Sequence, residues 1–463
     1  MSATGKPMAS RAAVPTTGAG DAGGAGGPDG DRGVTTTPTT DAAATDGARR
    51  DSTRPGWPVL AGLALLALVV RLAYWWTMRG EPLRSDAGNY DELATAIADG
   101  RGLSAHFPGL VEHATAWRPP LFPYVLGGIY KVVGAHQETG RAVGVAIGLV
   151  VVVLTAVVVS RWAGRLAGVV AAACVAVYPP LVANDIVPLS EGFSLALLLG
   201  LVHTTLARRW AWAGVLCGAL MLTRPSAQAL VVVLAVWFLV KVGWRAALGS
   251  TAIALCVIAP WIVRNAIVVG EPTLVTSNGF NLAAMYSPQA QAASGFVDPV
   301  FDSSFDGFRL SQLDEAGWDR DLRTMALENL RRDPMQVPQV VVRNAGYFFE
   351  ITPAGNETAE YLDGRNLSIR KWTMPLFYAV TVAGLAGLWL ERRTDLAQLL
   401  VVVAVTFTLA SLVFVAPPRL RAPIDLVLCV GVGLLAARMA ARRNRSRADR
   451  SVIDLRAQPA PPV

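Results

Sequence analysis

The sequence predicts an all-α polytopic membrane protein. Hydrophobic residues make up 53% of the 463-residue chain, and its mean hydropathy is positive. These residues form continuous runs, and many of the runs are close in length to the roughly 20 residues that a helix needs to cross a bilayer. A helix also satisfies its own backbone hydrogen bonds within lipid. We predict about ten transmembrane helices, amphipathic helices in the first outer loop and a small outer-face segment.

Ten apolar runs supply the predicted spans. The run at residues 210–222 is short for a full crossing, because an α-helix rises only about 1.5 Å per residue. The runs comprise residues 57–77, 139–160, 166–183, 187–207, 210–222, 227–241, 246–263, 372–390, 396–415 and 422–441.

The composition divides the chain into five predicted parts. The first 55 residues are rich in Gly, Ala, Thr, Asp and Pro and contain almost no large apolar residue, which predicts a disordered cytoplasmic tail. The other parts are an N-terminal transmembrane module (56–266) with a first outer loop (78–138), an outer-face loop or small domain (267–371), C-terminal transmembrane helices (372–441) and a basic cytoplasmic tail (442–463).

The arginines and lysines between the spans predict the orientation. Cytoplasmic loops carry an excess of positive charge, and in one set of loops every loop between neighbouring spans contains a basic pair. With both termini in the cytoplasm, every predicted inner loop is basic, through Arg161 and Arg165, Arg208 and Arg209, Lys241 and Arg245, and Arg392 and Arg393. Arginine far outnumbers lysine, and Ala, Gly and Val are abundant, which is typical of a bacterial genome rich in G and C. We therefore predict a bacterial plasma membrane protein.

Several function classes lack their signature. Proteins that bind nucleic acid concentrate positive charge on one soluble face, and no such domain is present in this sequence. The four cysteines, Cys174, Cys217, Cys256 and Cys429, lie inside apolar runs with no metal-binding spacing. No zinc-protease, nucleotide-binding or dinucleotide-binding motif occurs in the sequence.

An acidic stretch follows the first span directly. Asp86 in this stretch would lie at the membrane surface, where it could accept a proton or hold a ligand. Apolar residues at helical spacing follow it, so the alternative is that Asp86 or Ser85 caps a helix. Tyr90, one turn later, could orient Asp86 or stack on a sugar, or could simply anchor the interface.

Three arginines lie at the predicted outer ends of spans, against the usual charge rule. Arg224, Arg419 and Arg421 could bind phosphate, since a guanidinium group donates two parallel hydrogen bonds and stays charged. The alternative is that they snorkel to the interface or pair with a carboxylate.

Four further residues are candidates for the same outer site. Glu191 lies near the start of a span, where a carboxylate has a functional or ion-paired role. Arg71, in the first span, is one candidate partner for it. Asp185 shares the outer loop of Glu191, and Arg118 precedes a Pro-Pro turn; both are candidates for substrate binding. His113 lies in the first outer loop, where it could join a carboxylate in holding a metal, although a surface histidine is the simpler interpretation.

Together, these motifs resemble the C-type glycosyltransferase superfamily, in the bacterial branch related to protein O-mannosyltransferases and lipid A aminoarabinose transferases. The resemblance follows the family order from about residue 57 to residue 441. Its motifs are Ser-Asp-Ala at 85–87, Arg-Pro-Pro-Leu-Phe-Pro at 118–123, Leu-Ser-Glu at 189–191, Leu-Thr-Arg-Pro at 222–225, Pro-Trp at 260–261 with Arg-Asn at 264–265, and Arg-Leu-Arg-Ala-Pro at 419–423.

This resemblance implies an enzyme that moves a sugar from a polyprenyl-phosphate donor to a cell-envelope glycan, lipid or protein on the outer face. Asp86 would be the general base, and Arg224, Arg419 and Arg421 would bind the donor phosphate. A single carboxylate without a covalent intermediate predicts inversion. The resemblance makes no cofactor certain and leaves a divalent metal open. The alternative from another class is a lipid or glycolipid transporter or flippase, although no internal repeat typical of transporters is evident. A third interpretation is a scaffold subunit of an envelope assembly.

Overall fold

The computed structural model describes residues 55–107, 111–308, 314–352 and 356–457. The predicted N-terminal tail lies outside the described residues, except for Pro55. The division into five parts remains a prediction.

The described residues are almost entirely helical. One short antiparallel pair of strands, β1 (Ser104–Ala105) and β2 (His113–Ala114), is the sheet structure found in this part of the chain, with Ser104 opposite Ala114. Short 3-10 helices lie at Pro225–Ala229, Ser303–Phe308 and Pro418–Arg421. The α-helices are α1 (Trp57–Thr77), α2 (Ser85–Ala98), α3 (Leu121–Val133), α4 (Gln137–Ala163), α5 (Arg165–Val177), α6 (Pro179–Asn184), α7 (Ser190–Leu206), α8 (Trp210–Met221), α9 (Leu230–Lys241), α10 (Trp244–Val268), α11 (Asn278–Tyr286), α12 (Pro288–Ala293), α13 (Glu315–Arg332), α14 (Gln336–Phe348), α15 (Glu357–Leu362), α16 (Leu367–Leu390), α17 (Asp395–Val413) and α18 (Ala422–Ala457).

The predicted all-α multi-pass class is confirmed. Within the described residues, six helices are long and apolar enough to cross a membrane: α1, α4, α10, α16, α17 and the stretch Pro418–Ser446. Four other predicted spans form shorter apolar helices, and α8 has only 12 residues. The predicted span at 166–183 is divided between α5 and α6, because Pro179 has no backbone N–H to continue the helical hydrogen bonds.

The transmembrane helices pack around one large apolar core. Buried residues of this core come from α1, α4, α5, α7, α8, α9, α10, α16, α17 and α18. Helices α16 and α18 cross closely, since a Cβ added to Gly387 would lie 1.9 Å from the carbonyl oxygen of Gly431. A glycine at 387 therefore lets the two backbones approach, as is common between membrane helices.

The first loop region (residues 78–136) contains the two helices predicted there, α2 and α3. They share a small core in which the rings of Tyr90 and Phe122 meet edge to face, with centroids 5.2 Å apart. Leu126 and Ala94 are fully buried in the same core. This packing fixes α2, and with it the position of Asp86, against the helix bundle.

The second loop region (residues 269–366) folds against the first. The buried Glu315 carboxylate, at the start of α13, accepts hydrogen bonds from Thr115 Oγ1 at 2.7 Å and from the backbone N–H of Ala116 at 3.0 Å. It also accepts one from Thr276 Oγ1, just before α11. Because one carboxylate ties residues 115–116 to residue 276, the two loop regions meet at the same end of the helix bundle.

Candidate functional site

Asp86 does not cap the helix on which it lies. Helix α2 begins without any side-chain cap hydrogen bond, and Ser85 has a φ of 47°, in the left-handed region that non-glycine residues rarely adopt. Both oxygens of Asp86 instead accept hydrogen bonds from arginines, Oδ1 from Arg118 Nη2 and Oδ2 from Arg419 Nη2. Local backbone strain of this kind often accompanies functional sites.

The two arginines determine the charge of Asp86. Burial by itself would raise the pKa of this carboxyl, but the positive charges and hydrogen bonds of Arg118 and Arg419 outweigh it and hold the pKa below its ordinary value. Asp86 is therefore ionised at neutral pH. A carboxylate with a lowered pKa is a weak proton acceptor, so its arginine partners must change before it can act as a base.

Arg419 lies among three carboxylates. Besides Asp86, its Nε is 3.2 Å from Asp363 Oδ2 and 4.0 Å from Glu191 Oε1. Glu191 is also 3.1 Å from Arg224 Nη1, so this carboxylate is ion-paired, and its partner is an arginine of the same cavity. Arg71, the candidate partner inside the first span, does not form this pair.

Asp363 is a site residue that the sequence did not reveal. It follows α15 in a stretch outside every family motif, and nothing in its neighbouring residues points to the site. Burial raises the pKa of the Asp363 carboxyl, which Arg419 only partly offsets, to about 7. Its loop is held by the buried ion pair of Arg365 with Glu360 and by the hydrogen bond from Arg365 Nη2 to Asn184 Oδ1 at 2.7 Å.

A cavity of about 520 Å³ is lined by Asp86 and its two arginines and by Glu191 and Arg224, but not by Asp363. Six of the residues predicted from the sequence line it: Asp86, Tyr90, Arg118, Glu191, Arg224 and Arg419. One wall is apolar and includes Phe414 and Val415, just beyond α17, and another is polar and uncharged and includes Asn278 and Asn281 of α11. The cavity thus combines charged, apolar and neutral polar surfaces.

Three buried N–H groups on the lining residues have no hydrogen-bond acceptor among the described residues. They belong to Arg224 Nη1, Arg419 Nε and Trp117 Nε1. The two arginine nitrogens have carboxylates nearby, but not in the alignment that a hydrogen bond requires. Buried donors are nearly always satisfied in folded proteins. Ligand oxygen atoms that reach these nitrogens would satisfy them.

Tyr90, on α2, contacts both Arg118 and Ser190, the neighbour of Glu191 at the start of α7. Its hydroxyl lies 3.2 Å from Ser190 Oγ in a hydrogen bond, and the guanidinium carbon of Arg118 lies 5.6 Å from the centre of its ring. Arg118 Nε in turn donates to Asn89 Oδ1 at 2.9 Å. These contacts hold Arg118 so that its outer nitrogen reaches Asp86.

Asp185 and Arg421, two other predicted site residues, do not line the cavity. Asp185 accepts hydrogen bonds from Arg71 Nε at 2.9 Å and Nη2 at 2.7 Å, and both side chains are buried. Arg421 donates to Asp425 Oδ1 at 3.0 Å and lies 4.0 Å above the ring of Phe377. Each of these two residues is paired with an opposite charge inside the protein, away from the cavity.

His113 also lies away from the cavity. Its Nε2 is 2.7 Å from Glu315 Oε2, and this hydrogen bond raises the pKa of the histidine. Among the described residues, no group of three or more His, Cys, Asp or Glu side chains is placed to hold a metal ion. The carboxylates near Asp86 are separated by the guanidinium of Arg419, so in this arrangement they do not fit a divalent cation.

Comparisons with known proteins identify the fold. The family model described as dolichyl-phosphate-mannose-protein mannosyltransferase matches residues 117–264. The apo crystal structure of the Archaeoglobus fulgidus oligosaccharyltransferase matches 86% of this chain with 13% sequence identity and a TM-score of 0.50. The chain shares the fold of this archaeal membrane protein. It spans about half the length of the archaeal enzyme, 52% of that chain.

Another solved structure that is similar to this chain is ArnT from Cupriavidus metallidurans bound to undecaprenyl phosphate. It matches 82% of this chain and 78% of its own length, with 17% identity and a TM-score of 0.33. No curated protein sequence matches the chain. The segment that the family model matches carries Arg118, Glu191 and Arg224, whereas Asp86 and Arg419 lie outside it.

Proposed function

We propose that the protein is a membrane glycosyltransferase that moves a sugar from a polyprenyl-phosphate donor to a cell-envelope glycan, lipid or protein. The observation that carries this proposal is the placement of the Asp86 carboxylate between Arg118 and Arg419 in a cavity that Arg224 also lines. In such an arrangement the carboxylate can act as a base, and the guanidinium groups can form a phosphate clamp.

The donor fits the division of the cavity into charged and apolar walls. Arg224 and Arg419 would bind the phosphate, since each has a buried nitrogen without an acceptor. The prenyl chain would leave past Phe414 and Val415 toward the lipid. Phe414 is 42% exposed, as expected for a side chain at the mouth of such a path.

Donor binding would also activate the base. The phosphate competes with Asp86 for the guanidinium groups, and an Asp86 that loses positive neighbours has a higher pKa. The acceptor hydroxyl then transfers its proton to Asp86 while its oxygen forms a bond to the anomeric carbon. The bond from that carbon to the phosphate oxygen breaks, and the phosphate keeps the electron pair. This single displacement inverts the anomeric centre.

The reaction would occur on the outer face of a bacterial plasma membrane, with both termini in the cytoplasm. The basic side chains between spans support this orientation, because they gather at the ends that the positive-inside rule assigns to the cytoplasm. Lys241 and Asp395, for example, pair at 2.7 Å between the C-terminal end of α9 and the start of α17.

Product release would test the proposal. Purified protein in lipid nanodiscs, given radiolabelled polyprenyl-phosphate sugars and a crude envelope extract, is expected to release free polyprenyl phosphate. Asp86→Asn should abolish the release, whereas Asp395→Asn, a change at an exposed ion pair, should leave it intact. Movement of the intact lipid across the bilayer without cleavage would instead identify a flippase.

A further inference from the structure

The second loop region supplies an uncharged wall of the cavity. Ser277, Asn278 and Asn281 line it from the start of α11, and Trp117 lines it from the first loop region. Ser277 and Trp117 are buried, with exposures of 6% and 2%. Apart from Trp117, these residues lie in the part of the chain that neither the family motifs nor the family model covers.

The two amides are held in place by the backbone. Asn278 Nδ2 donates to the carbonyl of Val275 at 3.1 Å, and Asn281 Nδ2 donates to the carbonyl of Ser277 at 2.7 Å. Each amide therefore keeps its side-chain oxygen and a second N–H for a ligand. Groups that are fixed before binding lose little entropy when a ligand arrives.

Trp117 adds a donor without an acceptor. Its ring stacks on Trp318 with centroids 5.9 Å apart and meets Phe280 edge to face at 5.2 Å. Its Nε1 is buried and has no hydrogen-bond partner among the described residues. Burying an indole N–H without an acceptor costs the protein about 1–3 kcal/mol of stability. A ligand oxygen that reaches Nε1 would recover this free energy.

The wall is rigid relative to the charged residues. A Cβ added to Gly279 would lie 1.8 Å from the carbonyl oxygen of Asp319, so α11 can pack this closely on α13 only with glycine there. The backbone N–H of Thr276 donates to the carbonyl of Ala116 at 3.1 Å. Since Ala116 is two residues from Arg118, the amides and the arginine keep a fixed separation.

The chemistry of this wall suits hydroxyl groups. The wall offers neutral hydrogen-bond donors and acceptors beside the arginines that would bind the phosphate. The hydroxyl groups around a sugar ring are themselves neutral donors and acceptors, so they match this wall. We propose that Trp117 Nε1, Asn278 and Asn281 form a subsite that binds the ring hydroxyls of a sugar. The proposal rests on the proposed function, and the hydroxyls belong either to the donor sugar or to a sugar of the acceptor.

Binding of two lipids to the full-length protein in nanodiscs would test the subsite. One is sugar-free polyprenyl phosphate, and the other is the same lipid carrying mannose, glucose, galactose or arabinose, whichever wild type binds most tightly. We expect Asn278→Ala, Asn281→Asp and Trp117→Phe each to weaken binding of the sugar-bearing lipid by about tenfold. Binding of the sugar-free lipid should be unchanged. The matched control is Gln289→Ala, since Gln289 is an amide of the same loop region that does not line the cavity.

The outcomes separate the subsite from the proposed function. Failure of wild type to bind either lipid would overturn the proposed function and, with it, the subsite. An equal loss of affinity for both lipids would overturn the subsite alone. The same conclusion would follow if donor affinity and acceptor KM changed no more than they do in Gln289→Ala. Unchanged donor binding with a raised acceptor KM in the three variants would support the subsite and assign the hydroxyls to the acceptor.

Discussion

Asp86 and Arg419 are 333 positions apart in the chain and form an ion pair at the cavity. The carboxylate comes from the first turn of α2, and the guanidinium comes from the 3-10 helix that leads into α18. The pair therefore joins the first loop region to the last transmembrane helix. A ligand that takes Arg419 from Asp86 would change both the pKa of Asp86 and a link between distant segments.

Loss of either clamp arginine should weaken binding of the donor phosphate. We expect Arg224→Ala and Arg419→Ala each to reduce affinity for polyprenyl phosphate by tenfold or more, because charge-assisted hydrogen bonds contribute about 1.5–3 kcal/mol. Lipid binding in nanodiscs would measure it. Arg393→Ala, at the predicted cytoplasmic end, is the control, and equal losses in all three variants would contradict the phosphate clamp. Arg421→Ala should act on stability instead, since Arg421 does not line the cavity.

Asp363 should make stability depend on pH. Burial raises the pKa of its carboxyl to about 7, so the folded state binds a proton that the unfolded chain, with a pKa near 4, releases. The contribution of Asp363 to stability is therefore full below about pH 4 and is lost as pH rises through 7. Asp363→Asn should flatten this part of the curve and stabilise the protein at pH 8 by roughly 1–4 kcal/mol. Thermal unfolding from pH 4 to 8 would measure this dependence of stability on pH. The same dependence in Asp363→Asn and wild type would contradict the protonation of Asp363.

Glu315 should stabilise the contact between the two loop regions. Removing it leaves Thr115, Ala116 and Thr276 without their shared acceptor, which should reduce the free energy of unfolding by about 2–4 kcal/mol in Glu315→Ala. Tryptophan fluorescence would follow the change, because Trp117 lies beside this contact. Glu328→Ala on the exposed side of the same helix should have little effect. Comparable effects of the two changes would show that Glu315 is not a link.

Asp185 should be a structural residue. Arg71→Met alone leaves Asp185 as a buried unpaired charge and should destabilise the protein by about 3–5 kcal/mol, whereas adding Asp185→Asn should restore much of that loss. Thermal unfolding of the single and double variants would measure the coupling. In the folded fraction of Asp185→Asn, KM for the donor should match wild type. An increase in this KM in the folded fraction would show that Asp185 contributes to substrate binding.

The transmembrane pattern was readable from the sequence because hydropathy is a local property. Runs such as 57–77 and 372–390 coincide with helices that are long enough to span. The sequence was less informative where helices end, since α5 and α6 divide at Tyr178 and Pro179 within a single apolar run. It also left the second loop region without a fold, because its packing depends on Glu315 reaching residues about 200 positions away.

By itself, the sequence determined the multi-pass helical class, the two helices of the first loop region and Asp86, Arg224 and Arg419 as candidates for one site. Each rests on local composition or on a short motif. Only the tertiary structure decided that Asp86 is paired rather than capping, that Asp185 is paired with Arg71, and that Asp363 and the α11 amides lie near the same arginines. Such distances depend on how buried charges find partners and how helices pack, and both are set by the whole fold.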